Sequence, residues 1–144
     1  MGFFAPLDIA ATGLTAQRLR MDVTAENLAN ADTTRGANGQ AYQRQEVVLQ
    51  QVGGFGATLA GAMGSAPASG GVEVTGIVGD PTPDKLVYDP GNPDANAQGY
   101  VRMPNVNAVT EMTDLIDESR SYQADVTAMQ TAKSMYTKTL DLLK

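Results

Sequence analysis

The 144-residue chain contains no cysteine and no histidine. Without cysteine there is no disulfide framework and no thiolate nucleophile, and thiol usage says nothing about the redox compartment. Without histidine the commonest zinc ligand, the usual general base and the Ser-His and Cys-His pairs are all missing. Only carboxylates, Lys, Tyr and hydroxyls would remain for catalysis, so the composition argues against an enzyme and calls for no metal and no cofactor. Positive charge is also scarce. Ten Lys and Arg stand against sixteen Asp and Glu, a net charge of -6 with no basic cluster, which disfavours nucleic acid and anionic membrane surfaces as partners. No run approaches eighteen apolar residues, and Met1-Gly2-Phe3-Phe4-Ala5-Pro6 lacks the basic start of a cleavable signal. The expectation is a soluble chain with no direct membrane insertion and no ordinary export signal. Its length suits one domain with a modest core.

What the sequence does have is helical periodicity at both ends. From Ala108, alternate steps of four and three reach Met112, Leu115, Ser119, Tyr122, Val126, Met129, Lys133, Tyr136, Leu140 and Leu143, with only Ser119 and Lys133 breaking the apolar stripe. No Gly or Pro follows Pro104. The pattern is the a/d seam of a coiled coil, on a helix predicted over 105–144 and roughly 57 Å long at 1.5 Å per residue. Acids (Glu111, Asp114, Asp117, Glu118, Asp125) fill its first half and Lys133, Lys138 and Lys144 its second, matching the helix dipole. A second helix is predicted from Pro6 to about Asn30. Leu7, Leu14, Met21 and Leu28 recur every seven residues, and Ile9, Ala16 and Val23 form another such row. Two rows imply two neighbours. Pro6 suits a first helical turn, Gly13 marks a bend or a close approach by another helix, and Asn27, Asn30 and Asp32 suit its end.

The middle third reads differently. One strand is predicted within 40–52 and another at Val72–Val78, followed by short strands at Lys85–Tyr88 and Tyr100–Met103. Residues 53–71, rich in Gly, Ala and Ser, read as a mobile loop. The predicted fold is therefore α+β: long antiparallel N- and C-terminal coiled-coil helices with a small inserted β subdomain, divided as 1–34, 35–104 and 105–144. Both helices join the β subdomain by their inner ends, so packing together requires them to be antiparallel. The C-terminal helix then outruns its ~36 Å partner. At ~25 cal/mol per Å² of apolar surface, leaving the overhang wet forfeits several kcal/mol, so other subunits are expected to cover it. Before assembly the terminal helices, lacking partners, are expected to be largely unfolded or prone to aggregate.

Sharper motifs lose to plainer readings. Gly54-Phe55-Gly56 has no strand-helix frame and no following Gly-Lys-Ser/Thr, so it reads as loop. Asn92, Asp94 and Asn96 alternate as calcium ligands might, but Met103 stands where a bidentate Glu is wanted and the required Gly is missing. Turn chemistry accounts for them. Asp117 and Glu118 point in different directions on a helix and make a poor acid/base pair.

The run Ala11-Thr12-Gly13-Leu14-Thr15-Ala16-Gln17-Arg18, continuing into Asn27-Leu28-Ala29-Asn30-Ala31-Asp32-Thr33-Thr34, resembles the signature of the bacterial flagellar axial proteins, which form rod, hook and hook-associated structures. A more specific resemblance lies in Tyr88-Asp89-Pro90 and in Pro93-Asp94-Ala95-Asn96-Ala97-Gln98-Gly99-Tyr100-Val101-Arg102-Met103-Pro104-Asn105-Val106. With Glu111-Met112, Ser119-Arg120-Ser121-Tyr122 and Lys133-Ser134-Met135, that stretch is similar to the short proximal-rod members of the family. Asp125 stands where the family pattern has Asn. The resemblance implies a structural subunit exported by the flagellar type III apparatus and located in the basal-body rod crossing the periplasm. There it would assemble helically, around the export channel, with copies of itself, with the rod proteins FlgB, FlgF and FlgG and with the rod-base adaptor FliE. It singles out Asn27, Leu28, Ala29, Asn30, Thr33, Gly99, Tyr100, Pro104 and Asn105 as family-motif residues. Periodicity singles out Leu7, Leu14, Met21, Leu28, Met112, Leu115, Tyr122, Val126, Met129, Tyr136, Leu140 and Leu143 for helix and subunit packing. The alternatives are a soluble coiled-coil adaptor unrelated to flagella and another short rod protein of the same family.

Overall fold

The computed structural model describes residues 5–36, 38–52, 63 and 70–141. In chain order its elements are α1 (Ala5–Ala29), β1 (Gln45–Gln51), β2 (Val72–Gly79), β3 (Lys85–Tyr88), β4 (Tyr100–Met103) and α2 (Ala108–Asp141). The fold is α+β, and the described elements fall where periodicity and turn chemistry put them. The strands pair as two separate two-stranded sheets, β1 with β2 and β3 with β4. Most of the loop expected at 53–71, and Leu143, lie outside the described residues.

Local chemistry explains the element ends. After α1 the Asn30 amide and its side-chain Nδ2 both donate to the Glu26 carbonyl, at 3.1 and 2.9 Å, and Asn30 in turn accepts from the Thr33 N–H at 3.0 Å. These bonds satisfy carbonyls that a helix end leaves open. At the start of α2, Asn107 is the N-cap: its Oδ1 accepts from the Val109 N–H at 3.1 Å and its carbonyl from the Glu111 N–H at 3.0 Å. The helix therefore begins slightly later than Asn105, which is used elsewhere. Between β3 and β4, Asp89, Asn92 and Asn96 each turn a side-chain oxygen onto a backbone N–H two residues on, the Asx-turn chemistry that such residues favour. Gly99 closes this turn at φ +80°, and a Cβ there would lie 2.9 Å from Cε2 of Tyr88. Glycine alone fits that position without strain.

By compactness the described chain divides into two units. One takes in the residues up to Leu19, from Val48 to Gly76 and from Glu118 onward. In it the Val52 N–H bonds the Gly71 carbonyl at 2.9 Å, and Thr12 Oγ1 accepts from the Val72 N–H at 3.2 Å. A Cβ on Gly13 would stand 3.4 Å from a carboxylate oxygen of Asp125, so Gly13 is a point of close approach, one of its two expected meanings. The other unit takes in Arg20–Val47 and Ile77–Asp117. Here the β3–β4 register sets Lys85 opposite Met103, Leu86 opposite Arg102, Val87 opposite Val101 and Tyr88 opposite Tyr100. The Lys85 ammonium caps the Val106 carbonyl at 2.9 Å.

The interior is as polar as it is oily. Among the described residues Ala16, Val23, Val101 and Val106 are buried hydrophobic side chains, and Thr24, Asn27, Glu111 and Glu118 are buried with them. A buried amide or carboxylate needs a specific partner, so the polar set must be accounted for bond by bond.

Candidate functional site

For a structural chain without cysteine or histidine, the site of interest is whatever fixes the helices to the strands. In the second unit that is a buried polar hub centred on Asn27, Arg44 and Glu111.

Asn27 sits near the end of α1, only 1% exposed. Its Oδ1 accepts from the Gln45 N–H and the Tyr42 hydroxyl, both at 2.9 Å, and its Nδ2 donates to the Gln45 carbonyl at 2.8 Å and to Glu111 at 3.2 Å. One carboxamide thus presents a donor and an acceptor to both backbone groups of the first β1 residue, as a neighbouring strand would. All of its hydrogen-bonding capacity is used. Aspartate could not replace it, since it would set a second negative charge beside Glu111 and offer no donor to the Gln45 carbonyl.

Glu111, also 1% exposed, is held from two sides. Arg44 Nε donates to its Oε1 at 2.6 Å and Asn27 Nδ2 to its Oε2. The guanidinium also bonds Glu46 and lies 3.8 Å from carboxylate oxygens of both Asp80 and Asp114. The bond to Glu111 is the main reason that the Arg44 pKa is raised. The Arg44 backbone is fixed as well: its N–H donates to Asn105 Oδ1 at 2.7 Å and its carbonyl accepts from the Asp80 N–H at 2.8 Å. Asn105 Nδ2 in turn donates to the Asp80 and Thr82 carbonyls at 3.3 and 3.1 Å. Burial, followed by the charges of Glu26 and Glu111, raises the Tyr42 pKa, which keeps its hydroxyl a donor to Asn27. Asp80 is shifted the other way, mainly by the Thr82 hydroxyl and then by the Thr82 N–H.

The family-motif residues gather in and around this hub. Asn27 and Asn105 are in it, and Pro104, fully buried, adjoins Asn105. Asn30 ends α1, and Thr33 accepts from the Tyr42 N–H at 3.1 Å. Gly99 and Tyr100 shape the β3–β4 turn, where the Tyr88 and Tyr100 rings meet edge to face at 5.2 Å. Leu28 is half-buried and Ala29 exposed. Sequence reading missed the roles of Tyr42, Arg44 and Asp80 and took Glu111 as a dipole-matching acid and as part of the Glu111-Met112 resemblance, without its buried pairing. The available signal was phase: Glu111 stands three residues after Ala108, on the helix face that carries Leu115.

That phase recurs along α2. Its shielded and half-shielded positions include Ala108, Glu111, Leu115, Glu118, Tyr122, Asp125, Met129, Ala132 and Tyr136, stepping alternately by three and four. The row from Ala108 through Leu115, Tyr122, Met129 and Tyr136 is the expected one. Its companion row is largely acidic, where the apolar pattern pointed to Met112, Ser119 and Val126. Val126 is half-buried, while Met112 is 49% and Leu140 57% exposed. On α1, Leu7, Leu14, Met21 and Leu28 are half-buried, and Ala16 and Val23 of the other row are the buried pair.

Among the described residues no group of His, Cys, Asp and Glu could hold a metal ion, and no helix is long and apolar enough to cross a membrane. Residues 7–37 match the family described as flagella basal body rod protein, and residues 97–142 match the flagellar basal body rod FlgEFG protein C-terminal family. Flagellar basal-body rod proteins FlgC from several bacteria are similar over nearly the whole length. The one from Escherichia coli O6:H1 is 50% identical, covering 94% of this chain and 93% of its own. The Bacillus subtilis protein is 49% identical over the full length of both, and the Salmonella typhimurium protein 47% identical over 94% and 93%. These likenesses lead to one conclusion: the chain belongs to the FlgC family of flagellar basal-body rod proteins.

Proposed function

We propose that this basal-body rod subunit, a structural protein and not an enzyme, works as a torque-bearing element of a helical shaft. Near-full-length similarity to FlgC proteins carries the reading. In it, residues 1–34 and 105–144 form the coiled-coil core around the export channel and 35–104 the β-rich outer part. The two terminal helices pair antiparallel. What supports the pairing is a pair of contacts, Gly13 with Asp125 and Asn27 with Glu111, each made within its own unit.

The partners are further copies of the chain, the rod proteins FlgB, FlgF and FlgG, the adaptor FliE at the rod base, and the flagellar type III export apparatus that delivers the subunit. The hub suits load-bearing, because directed, fully satisfied hydrogen bonds resist shear that a purely apolar contact would allow. It also suits export: its members span residues 27 to 111 and meet only once most of the chain has emerged. The apolar remainder of the helices then waits for neighbours. Met129→Asp or Val126→Asp is expected to abolish swimming while leaving synthesis and export of the chain intact. Normal swarm diameters for either variant would overturn the packing assignment.

A further inference from the structure

Asn38 is the one asparagine of the chain that is followed by glycine; the others precede Leu, Ala, Pro or Val. Glycine has no side chain to hinder its nitrogen and gives the backbone its widest conformational range, so in a free chain that nitrogen can reach the carboxamide carbon of the preceding asparagine. In the fold the pair sits in an exposed turn. The Gly39 N–H donates to the Gly36 carbonyl at 2.9 Å, the Gln40 N–H to Asn38 Oδ1 at 3.1 Å and the Gly36 N–H to the Gln40 carbonyl at 2.7 Å. Gly39 takes φ +77°, with open space where a Cβ would stand. Around this turn the Tyr42 N–H, bonded to the Thr33 carbonyl at 3.1 Å, closes the wider loop that leads from α1 to the hub residues Tyr42 and Arg44.

We propose that Asn38 is a site of spontaneous deamidation, restrained by the folded turn and released when the chain is unfolded. The Gly39 nitrogen gives up its proton and bonds to Cγ of Asn38, the Cγ–Nδ2 bond breaks, and the proton leaves with the amino group as ammonia. Water then opens the cyclic imide. Attack at Cγ leaves an aspartate in the ordinary backbone, and attack at the main-chain carbonyl leaves an isoaspartate, with Gly39 joined through Cγ. The turn opposes the first step twice, because the proton of the attacking nitrogen is held by the Gly36 carbonyl and the carboxamide is held by the Gln40 N–H. Together these bonds slow the reaction by at least about tenfold relative to the unfolded chain. The isoaspartyl product puts an extra carbon into the main chain inside the Gly36–Gln40 closure, just ahead of Tyr42 and Arg44. Chain that waits unfolded therefore accumulates damage on the approach to the hub, and folded chain is spared.

Arg35 and Arg44 bracket the pair, so trypsin releases it in the peptide Gly36–Arg44. The full-length chain unfolded in guanidinium chloride, and isolated basal bodies holding the same chain, are incubated at one mildly alkaline pH and one temperature and mapped by mass spectrometry at intervals. In guanidinium the peptide is expected to convert into two separable products, aspartyl and isoaspartyl, each about 1 Da heavier, and to do so faster than any other asparagine-bearing peptide of the chain. In basal bodies the same conversion is expected to run at least about tenfold more slowly. Conversion of Asn38 in guanidinium no faster than that of the other asparagines overturns the site. Equal rates in the two samples overturn the restraint by the turn. The guanidinium arm needs no assembly and decides the site by itself, so absence of the chain from basal bodies would instead overturn the rod reading.

Discussion

Replacing Arg44 by methionine tests the hub at its most sensitive point. Methionine keeps the length and apolar stem of the side chain and removes the bond at 2.6 Å to Glu111. Glu111, 1% exposed, then keeps only the weaker 3.2 Å bond from Asn27. Breaking a buried pair from one side leaves an uncompensated charge and costs about 3–5 kcal/mol. The interactions with Asp80 and Asp114, at 3.8 Å, add little, because Asp114 is partly solvated. Against a typical domain stability of about 5–15 kcal/mol, Arg44→Met should remove a large share. The assay is urea titration of isolated basal bodies at pH 7, monitored as release of the chain from the rod fraction, because the terminal helices of the unassembled chain are expected to be largely unfolded. The decisive comparison is the Arg44→Met/Glu111→Met pair, which removes both charges and should recover most of the loss, since well-packed apolar replacements for a buried pair are often neutral. Asn27 loses one acceptor in the double variant, so a residue of about 1–3 kcal/mol should remain. A loss below about 1 kcal/mol for Arg44→Met, or a double variant no better than the single one, would refute the argument.

Asn27→Asp should cost at least about 3 kcal/mol, because it sets like charges together in the interior and orphans the Gln45 carbonyl; the same denaturation assay checks it. Tyr42 has a folded-state pKa above its unfolded value of 10.0, so its contribution is fully present below pH 10 and is lost as pH rises through the folded value. Tyr42→Phe should flatten that alkaline loss, measured as the denaturation midpoint between pH 9 and pH 11. Gly99→Ala combines a left-handed φ of +80° with a Cβ 2.9 Å from Tyr88 and should lower stability by about 1–3 kcal/mol, read as a drop in Tm. Gly13→Ala meets Asp125 only at ordinary contact distance and gains up to ~1 kcal/mol of helix propensity, whereas Gly13→Leu should destabilise; thermal melts of the pair separate the two.

Element positions were legible because their causes are local. Asn30 ends α1, Asp89, Asn92 and Asn96 make Asx turns, and alternation marks β2, whereas the cap at Asn107 was not singled out and the helix was placed from Asn105. The phase of the α2 face was only half legible. Leu115, Tyr122, Met129 and Tyr136 repeat every seven residues, and either neighbour row could have completed a seam with them. An apolar count chooses Met112 and Val126; the chain buries Glu111 and Glu118, leaves Met112 exposed, and half-buries Asp125 and Val126 alike. The acid at Glu111 is tolerated because Arg44, sixty-seven residues away, reaches it. No windowed pattern contains such a pair. Asn27 and Asn105 were marked by family resemblance, but their role became visible only as hydrogen bonds to the backbone of Gln45 and Arg44. The pairing of four strands into two small sheets was likewise non-local, since β1 finds β2 across the long Gly/Ala/Ser-rich stretch.

The central claim is that this chain is a structural subunit of the flagellar rod. Its most direct test is the protein composition of basal bodies purified from cells with and without the chain's gene. The account predicts the chain in the wild-type rod fraction, and loss of rods, filaments and swimming on deletion, restored by the wild-type gene. Deleted cells that still swim, with the chain absent from wild-type basal bodies, would contradict it.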